Sequence, residues 1–261
     1  MKVVLFCGGL GMRIREYSED IPKPMVPIGY RPILWHVMKY YAHWGHKEFI
    51  LCLGYKADVI KNYFLNYDEC LSNDFTLSGR GRVDLANSDI DDWKITFVDT
   101  GHTTNIGGRL MAVRDHLGDD EMFLANYSDN LTNVPLPDMI TRFQGSQHVA
   151  SFLCVRPSQS FHLVTVDDTQ AVNGIVGVGD TDIRINGGYF VVRREIFDYM
   201  QPGEELVEQP FQRLIAARRL GAFRYDGFFV CMDTFKERHM LDDLYTRGKA
   251  PWELWNRKRG Q

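Results

Sequence analysis

Lys2-Val3-Val4-Leu5-Phe6-Cys7-Gly8-Gly9-Leu10-Gly11-Met12-Arg13 is the stretch on which the fold turns. An apolar run containing β-branched residues stops abruptly at glycines, the pattern of a buried strand delivered into a glycine-rich loop. Only glycines let a backbone close on an anion with several N–H groups at once, so the loop has the makings of a triphosphate cradle. It is neither of two commoner phosphate loops, because it lacks the G-K-[ST] of a P-loop and the third glycine of the dinucleotide fingerprint. Taken alone, a glycine-rich turn is as readily a tight bend, and the loop by itself leaves the ligand open.

Outward from this loop the chain alternates. Pro32–Trp44 reads as a helix with Leu34, Val37, Met38 and Tyr41 on one stripe. Glu48–Leu53 reads as a strand, Ala57–Phe64 as a helix, Lys94–Val98 as a strand and 108–116 as a helix. A strand at Met122–Asn126 and a helix at Pro137–Phe143 follow. This β-α alternation predicts an α/β, Rossmann-like, mainly parallel sheet flanked by helices, with ligands beyond the carboxyl ends of its strands. Residues 1–148 form the expected nucleotide-binding half of a single domain spanning 1–261. Residues 149–261, with strands at Val149–Val155, Leu163–Val166 and Ile183–Val192, read as an extension of the same sheet plus a small acceptor-binding portion. Helices are expected near Glu195–Met200, Gln209–Arg219 and Phe235–Arg247, and Asn66–Asp92 as an insertion loop or a small excursion.

The charge balance, 30 Lys+Arg against 34 Asp+Glu, gives −4 and excludes the electrostatic footprint of a nucleic-acid or anionic-membrane binder. Any phosphate must therefore be held by local groups. The five cysteines are scattered, with no C-x-x-C pair, and suggest reduced thiols in or near the core, not a disulfide frame or a zinc site. Five apolar residues, Val3 to Cys7, are too few for a signal-peptide core, and no later run reaches spanning length. The expected location is the cytoplasm.

Several side chains add chemistry to the loop. Pro22 and Pro24 stiffen the backbone on both sides of Lys23, so its ammonium is aimed rather than free. Arg13 and a fixed Lys23 could neutralise charge developing on a phosphoryl group. Asp129 stands at the carboxyl edge of the strand Met122–Asn126, and Asp233 follows the apolar run 228–231. One or two carboxylates together with substrate phosphates suit Mg²⁺. Read singly, Lys23 fits a solvated loop lysine, Arg109 a helix-surface arginine, and each aspartate a turn former.

Gly-Gly-x-Gly-x-Arg followed by Pro-Lys-Pro resembles the signature of sugar-1-phosphate nucleotidyltransferases. Pro32-Ile33-Leu34-Trp35-His36, Gly54-Tyr55-Lys56, Val98-Asp99-Thr100-Gly101, Gly107-Gly108-Arg109-Leu110, Ile185-Asn186-Gly187-Gly188 and Gly248-Lys249-Ala250-Pro251-Trp252 resemble the glucose-1-phosphate cytidylyltransferase branch. The resemblance implies that Gly8, Gly9, Gly11, Met12 and Arg13 contact the nucleotide and that Lys23 contacts its phosphates. It places Thr104, Gly108 and Arg109 near the base and triphosphate, with Ser128 beside them, and gives Mg²⁺ to Asp129 and Asp233. Arg13, Lys23 and Asp129 would be the catalytic set. An acceptor phosphate would attack the α-phosphorus of CTP and release pyrophosphate, in an enzyme that forms a homo-oligomer.

The acceptor side departs from this pattern. The family's Gly-Asp-Gly is Ser128-Asp129-Asn130 here, the segment 174–182 holds no Lys or Arg where the family has a Glu-Lys-Pro lysine, and its Arg-Phe-Gly is Ser160-Phe161-His162. Asn130, His162, Arg184, Asn186 and Gly187 are the acceptor-binding candidates, with Arg184 or His162 in place of the missing cations. Two alternatives to glucose 1-phosphate transfer stay open: a different phosphorylated acceptor, and a nucleotide-binding protein without turnover. Retention of Lys23, Asp129 and Asp233 speaks against the second, since binding alone needs no pair of metal carboxylates.

Overall fold

A computed structural model describes residues 1–9, 21–158 and 161–256. Its centre is a seven-stranded sheet built from β1 (Val3–Phe6), β2 (Glu48–Leu53), β3 (Lys94–Asp99), β4 (Met122–Asn126), β5 (Ala150–Val155), β6 (Ile185–Arg193) and β7 (Leu220–Tyr225), in the order β7-β5-β6-β4-β1-β2-β3. β1, β2, β3 and β4 run parallel through the β1/β2, β2/β3 and β1/β4 ladders. β6 is antiparallel to both β4 and β5, and β7 is parallel to β5, so β6 alone opposes the other six. One sheet thus takes strands from both halves of the chain.

Alternation along β1 explains the layers. Val3 and Leu5 enter one apolar cluster with the helix Ile33–His43, while Val4 and Phe6 enter another with Leu110, Phe190 and Leu214. Residues buried on both faces of a parallel strand leave it no polar edge to expose, and each such side chain contributes about 1.5–3 kcal/mol. Consecutive strands step from β1 to β2 to β3 in one direction, after which the chain returns to lay β4 on the other side of β1. A reversal of this kind opens a crevice at the carboxyl ends of the two central strands. Gly8 and Gly9 leave β1 there, and residues 127–130 leave β4 there.

Local differences from the sequence reading have local causes. The helix expected over Gln209–Arg219 ends at Ala216, and the chain turns through Arg218, at φ 55°, into β7. β7 went unread because Leu220-Gly221-Ala222-Phe223-Arg224-Tyr225 is short of β-branched residues and lies at the sheet edge, where burial selects them less strictly. The helix expected at 108–116 spans Ile106–Ala112 and then tightens over Arg114–Leu117, and the one expected at Glu195–Met200 is a 3₁₀ segment over Arg194–Tyr199. His162–Val166 joins Val172–Gly177 in a separate two-stranded sheet and does not extend the central one. Asn66–Asp92 is a small excursion, with a helix at Glu69–Ser72 and a hairpin of Phe75–Ser78 with Arg82–Leu85. Buried Arg31 tethers it, pairing with Asp89 at 2.6 Å and lying 4.0 Å over the Trp35 ring.

The five cysteines are free, Cys7 and Cys52 in the core but Cys70 exposed, against the expectation that all are core or near-core thiols. Two motifs far apart in sequence meet in the interior: the Trp252 indole N–H donates to His36 Nδ1 at 3.3 Å, while His36 Nε2 lies 3.1 Å from the Ile28 carbonyl. His36 is therefore a neutral ring with its proton on Nε2. No helix among the described residues is long and apolar enough to cross a membrane.

Candidate active site

Lys23 opens a short 3₁₀ turn, Lys23–Met25, whose Pro24 and Met25 are buried, so its backbone is anchored in the core. The Met25 N–H donates to the Pro22 carbonyl at 2.8 Å and the Ile33 N–H to the Val26 carbonyl at 3.0 Å. From this base the ammonium reaches Asp129 Oδ2 at 2.7 Å and Asp233 Oδ1 at 2.6 Å. The aspartates, 104 residues apart in sequence, are brought together by a ladder. Asn130–Thr132 pairs antiparallel with Phe229–Cys231, Asn130 opposite Cys231, and the Met232 N–H donates to the Asp129 carbonyl at 2.9 Å. Asp233 then precedes the helix Phe235–Thr246, which Thr234 and Glu237 close with a capping box.

Electrostatics keeps this centre ionic. Burial pulls the Lys23 ammonium toward its neutral form, but Asp129 and Asp233 act against it and the net shift is upward, so Lys23 stays charged. Cys231, which the sequence reading left among the inert thiols, is the third member. Its sulfur and one oxygen from each aspartate lie within 4.8 Å of one another. Burial, and then Asp129, pushes its thiol up, so it is a neutral neighbour of the carboxylates. The missed signal was period two: on a strand running toward Asp233, residues 231 and 233 share a face. Two carboxylates, one ammonium and a neutral thiol leave a net negative charge with oxygen donors, which fits a hard divalent cation.

The loop after β4 is held by side chains that replace glycines of the resembled pattern. Ser128 takes φ 65°, the left-handed conformation that glycine ordinarily supplies. Its N–H donates to Asn126 Oδ1 at 2.7 Å and its hydroxyl to the Phe6 carbonyl at 2.8 Å, which ties the ends of β4 and β1 together. Asn130 donates to the Gly187 carbonyl at 3.0 Å and accepts from Asn126 at 3.2 Å. The side chains that the sequence adds around Asp129 therefore bond to the protein itself. What they hold in place is the backbone that carries Asp129.

Arg109, a nucleotide-binding candidate by resemblance, belongs to the helix Ile106–Ala112. It is not on a helix surface; it is 2% exposed beneath the glycine loop. Its guanidinium donates to the Gly8 carbonyl at 2.9 Å, the Leu53 carbonyl at 3.0 Å and Thr100 Oγ1 at 2.6 Å. Gly8 is a glycine because a Cβ there would lie 2.0 Å from Arg109 Nη1, whereas a Cβ on Gly9 would meet none of the described residues within 4 Å. Gly108 sits behind the Asn105 cap of the helix Ile106–Ala112, its N–H donating to Asn105 Oδ1 at 2.8 Å, with the Thr104 methyl 2.7 Å from where its Cβ would be. Gly11, Met12 and Arg13, like Ser160, lie outside the described residues.

On the acceptor side, Asn186 donates to the Tyr127 hydroxyl at 3.2 Å, and Gly187 is joined to Asn130 as above, so both adjoin residues that flank Asp129. Arg184 reaches Asp226 at 2.8 Å at the same sheet edge. His162 is exposed on the outer hairpin and is not among the groups gathered around Lys23.

Comparison with known proteins supplies the family. The family model described as nucleotidyl transferase matches residues 2–210. A probable glucose-1-phosphate cytidylyltransferase of Bacillus subtilis (strain 168) is 38% identical over 98% of this chain and 100% of its own length. The glucose-1-phosphate cytidylyltransferase of Salmonella typhi is 36% identical over 98% of this chain and all of its own. Among solved structures, HddC from Yersinia pseudotuberculosis superposes with a TM-score of 0.67 at 21% identity, covering 94% of this chain and 99% of that one, a likeness of fold. A glycine loop at a sheet crevice, a lysine held between two aspartates and a family match over most of the sequence lead to one conclusion: the chain belongs to the nucleotidyl transferase family.

Proposed function

We propose that this chain is a nucleotidyltransferase that joins CTP and glucose 1-phosphate to give CDP-glucose and pyrophosphate. The observation that carries the reading is the convergence of Lys23 on Asp129 and Asp233 at the crevice where Gly8 and Gly9 leave β1. Whole-length similarity to glucose-1-phosphate cytidylyltransferases supports the choice of base and acceptor.

The triphosphate lies against Gly8 and Gly9, with Gly11, Met12 and Arg13 as its further contacts by family resemblance and Arg109 supporting Gly8 from beneath. Thr104 and Gly108 border the base. Asn186 and Gly187 form the acceptor wall beside Asp129. Asp129 and Asp233 would hold Mg²⁺, which when bound supplies charge neutralisation on the phosphates. Lys23, released from one carboxylate as phosphate arrives, follows the developing charge on the α-phosphoryl group. An oxygen of the acceptor phosphate forms the new bond to the α-phosphorus as the α–β bridge breaks, and pyrophosphate carries off the electron pair. No group of the protein need act as nucleophile or base, so positioning and charge supply the acceleration.

Incubation with Mg²⁺, each of the four nucleoside triphosphates and a panel of phosphorylated acceptors, followed by pyrophosphate release, tests the whole reading. CTP with glucose 1-phosphate should be turned over. Turnover confined to another pair would replace the proposed substrates, and none would leave a binding protein. Lys23→Ala and Asp129→Asn should each abolish detectable turnover with the circular dichroism spectrum unchanged, and wild-type rates in either would remove that residue from the mechanism.

The same reading includes a cytoplasmic, self-associating enzyme. On the hairpin of the 66–92 excursion, Phe75, Leu77, Val83 and Leu85 pair across the strands as one apolar face that is exposed in the single chain. A two-stranded sheet with such a face is marginal on its own, which favours burial against a second copy. Sedimentation equilibrium showing only monomer at micromolar concentration would remove this part.

A further inference from the structure

We infer that Arg184 is the anion contact of the acceptor pocket, and that Asp226 occupies it until the acceptor's phosphate takes its place. The inference rests on the transfer reading above and names the groups that receive the acceptor. Register sets the geometry. Val155 of β5 pairs with Ile185 of β6 on one side and with Tyr225 of β7 on the other. One step beyond those pairs, at the carboxyl end of β5, stand Arg156, Arg184 and Asp226, side by side at the edge where β4 delivers Asp129. β6, the antiparallel strand, enters the sheet at that edge with Arg184 at its head. Two and three residues further on, Asn186 bonds Tyr127 and Gly187 bonds Asn130, so Arg184 is chained to the loop that holds Asp129.

The charges are not balanced. Arg156 Nε at 3.2 Å and Arg184 Nη2 at 2.8 Å both donate to one oxygen, Asp226 Oδ1. Two cations on one carboxylate leave a net positive charge. Arg156 is committed to the turn before β6, donating to the Gly179 carbonyl at 3.2 Å and the Thr181 carbonyl at 3.3 Å. Arg184 is not fully used. Its Nη1 makes a long bond of 3.4 Å to the Tyr225 carbonyl, and its Nε, closed off from solvent, has no hydrogen-bond partner among the described residues.

A desolvated donor left without a partner is unfavourable and calls for an explanation. A phosphate supplies one, because the Nε and Nη2 hydrogens of a guanidinium match two phosphate oxygens side by side. Asp226 engages that fork through Nη2 alone, and with its side chain 64% exposed against 11% for Arg184 it can swing out while Arg184 stays. The segment 174–182 lacks Lys and Arg, and Arg184 is the first cation after it.

The test is calorimetric titration of the wild type, Arg184→Gln and Asp226→Ala with glucose 1-phosphate, inorganic phosphate and glucose. The full-length protein is used, with its nucleotide cradle filled by a non-hydrolysable CTP analogue whose affinity is recorded for each variant. Arg184→Gln should weaken glucose 1-phosphate and phosphate about tenfold to a hundredfold, the effect of one charge-assisted contact, with the CTP analogue bound as in the wild type. Asp226→Ala should tighten both phosphorylated probes severalfold and leave glucose unchanged, which a carboxylate that merely clasps strand ends would not do. Wild-type phosphate affinity in Arg184→Gln, or a loss in Asp226→Ala as large as in Arg184→Gln, overturns the inference. A wild type that binds both phosphorylated probes through Arg184 yet never releases pyrophosphate leaves Arg184's role standing and defeats the transfer reading.

Discussion

A methyl group on Gly8 would collide with the Arg109 guanidinium, while the same group on Gly9 would meet none of the described residues. The two glycines therefore answer to different demands, Gly8 to the buried cation behind it and Gly9 to whatever docks in front. Gly8→Ala should lower the melting temperature, because Arg109 would have to leave a site where it satisfies three buried acceptors. Gly9→Ala should keep the melting temperature and lose CTP affinity, measured by calorimetry; equal losses of stability in both would refute the distinction. Ser128 shows why the loop after β4 was only partly legible. Resemblance put Ser128 beside the nucleotide, but a left-handed backbone turns its hydroxyl to the Phe6 carbonyl, and no local pattern announces that conformation in a serine. The burial of Arg109 was illegible for a related reason. Helical spacing gives a residue's position on the helix, not whether the neighbouring loop closes over it.

The helix Phe235–Thr246 positions two parts of the site. Its capping box begins one residue after Asp233, and further along, Asp242 Oδ1 accepts from the Gly29 N–H at 2.8 Å on the turn that follows the Lys23 segment. Thr234→Ala should reduce stability by about 1 kcal/mol through loss of the cap and should lower kcat as well, since the frayed turn carries Asp233. Thr234→Ser should restore both. Unchanged kcat in Thr234→Ala, assayed by pyrophosphate release, would show that the cap does not position the carboxylate. At this scale the sequence was a reliable guide wherever a strand is buried on both faces, as in Glu48–Leu53 and Met122–Asn126, whose observed limits match the reading. It was poor for the short ladder Asn130–Thr132 with Phe229–Cys231, because three-residue strands carry too little periodicity to register. That ladder is the device that joins the two aspartates, so their meeting was reachable only through family likeness.

Across the whole molecule, the burial that His36 shares with Trp252 makes stability depend on pH. Burial lowers the His36 pKa to about 4, the Ile28 carbonyl opposing and Arg31 adding to the shift. An unfolded histidine titrates near 6.5. Between those values the unfolded chain takes up a proton that the folded chain refuses, so stability rises with pH, is complete above about 6.5 and is lost as pH falls toward 4. His46, also lowered to about 4 by burial and then by the N-terminal ammonium, acts in the same direction. Urea midpoints at pH 7.5 and pH 5 should therefore differ, with a smaller difference in His36→Gln, which keeps the share due to His46. Identical midpoints in the wild type would contradict the buried neutral ring. The order in which the chain is made gives the Asn130–Thr132 and Phe229–Cys231 ladder a final significance. Lys23 and Asp129 leave the ribosome long before Asp233, so a nascent polypeptide holds an incomplete charge constellation until late in its synthesis, and a product terminated early never acquires it.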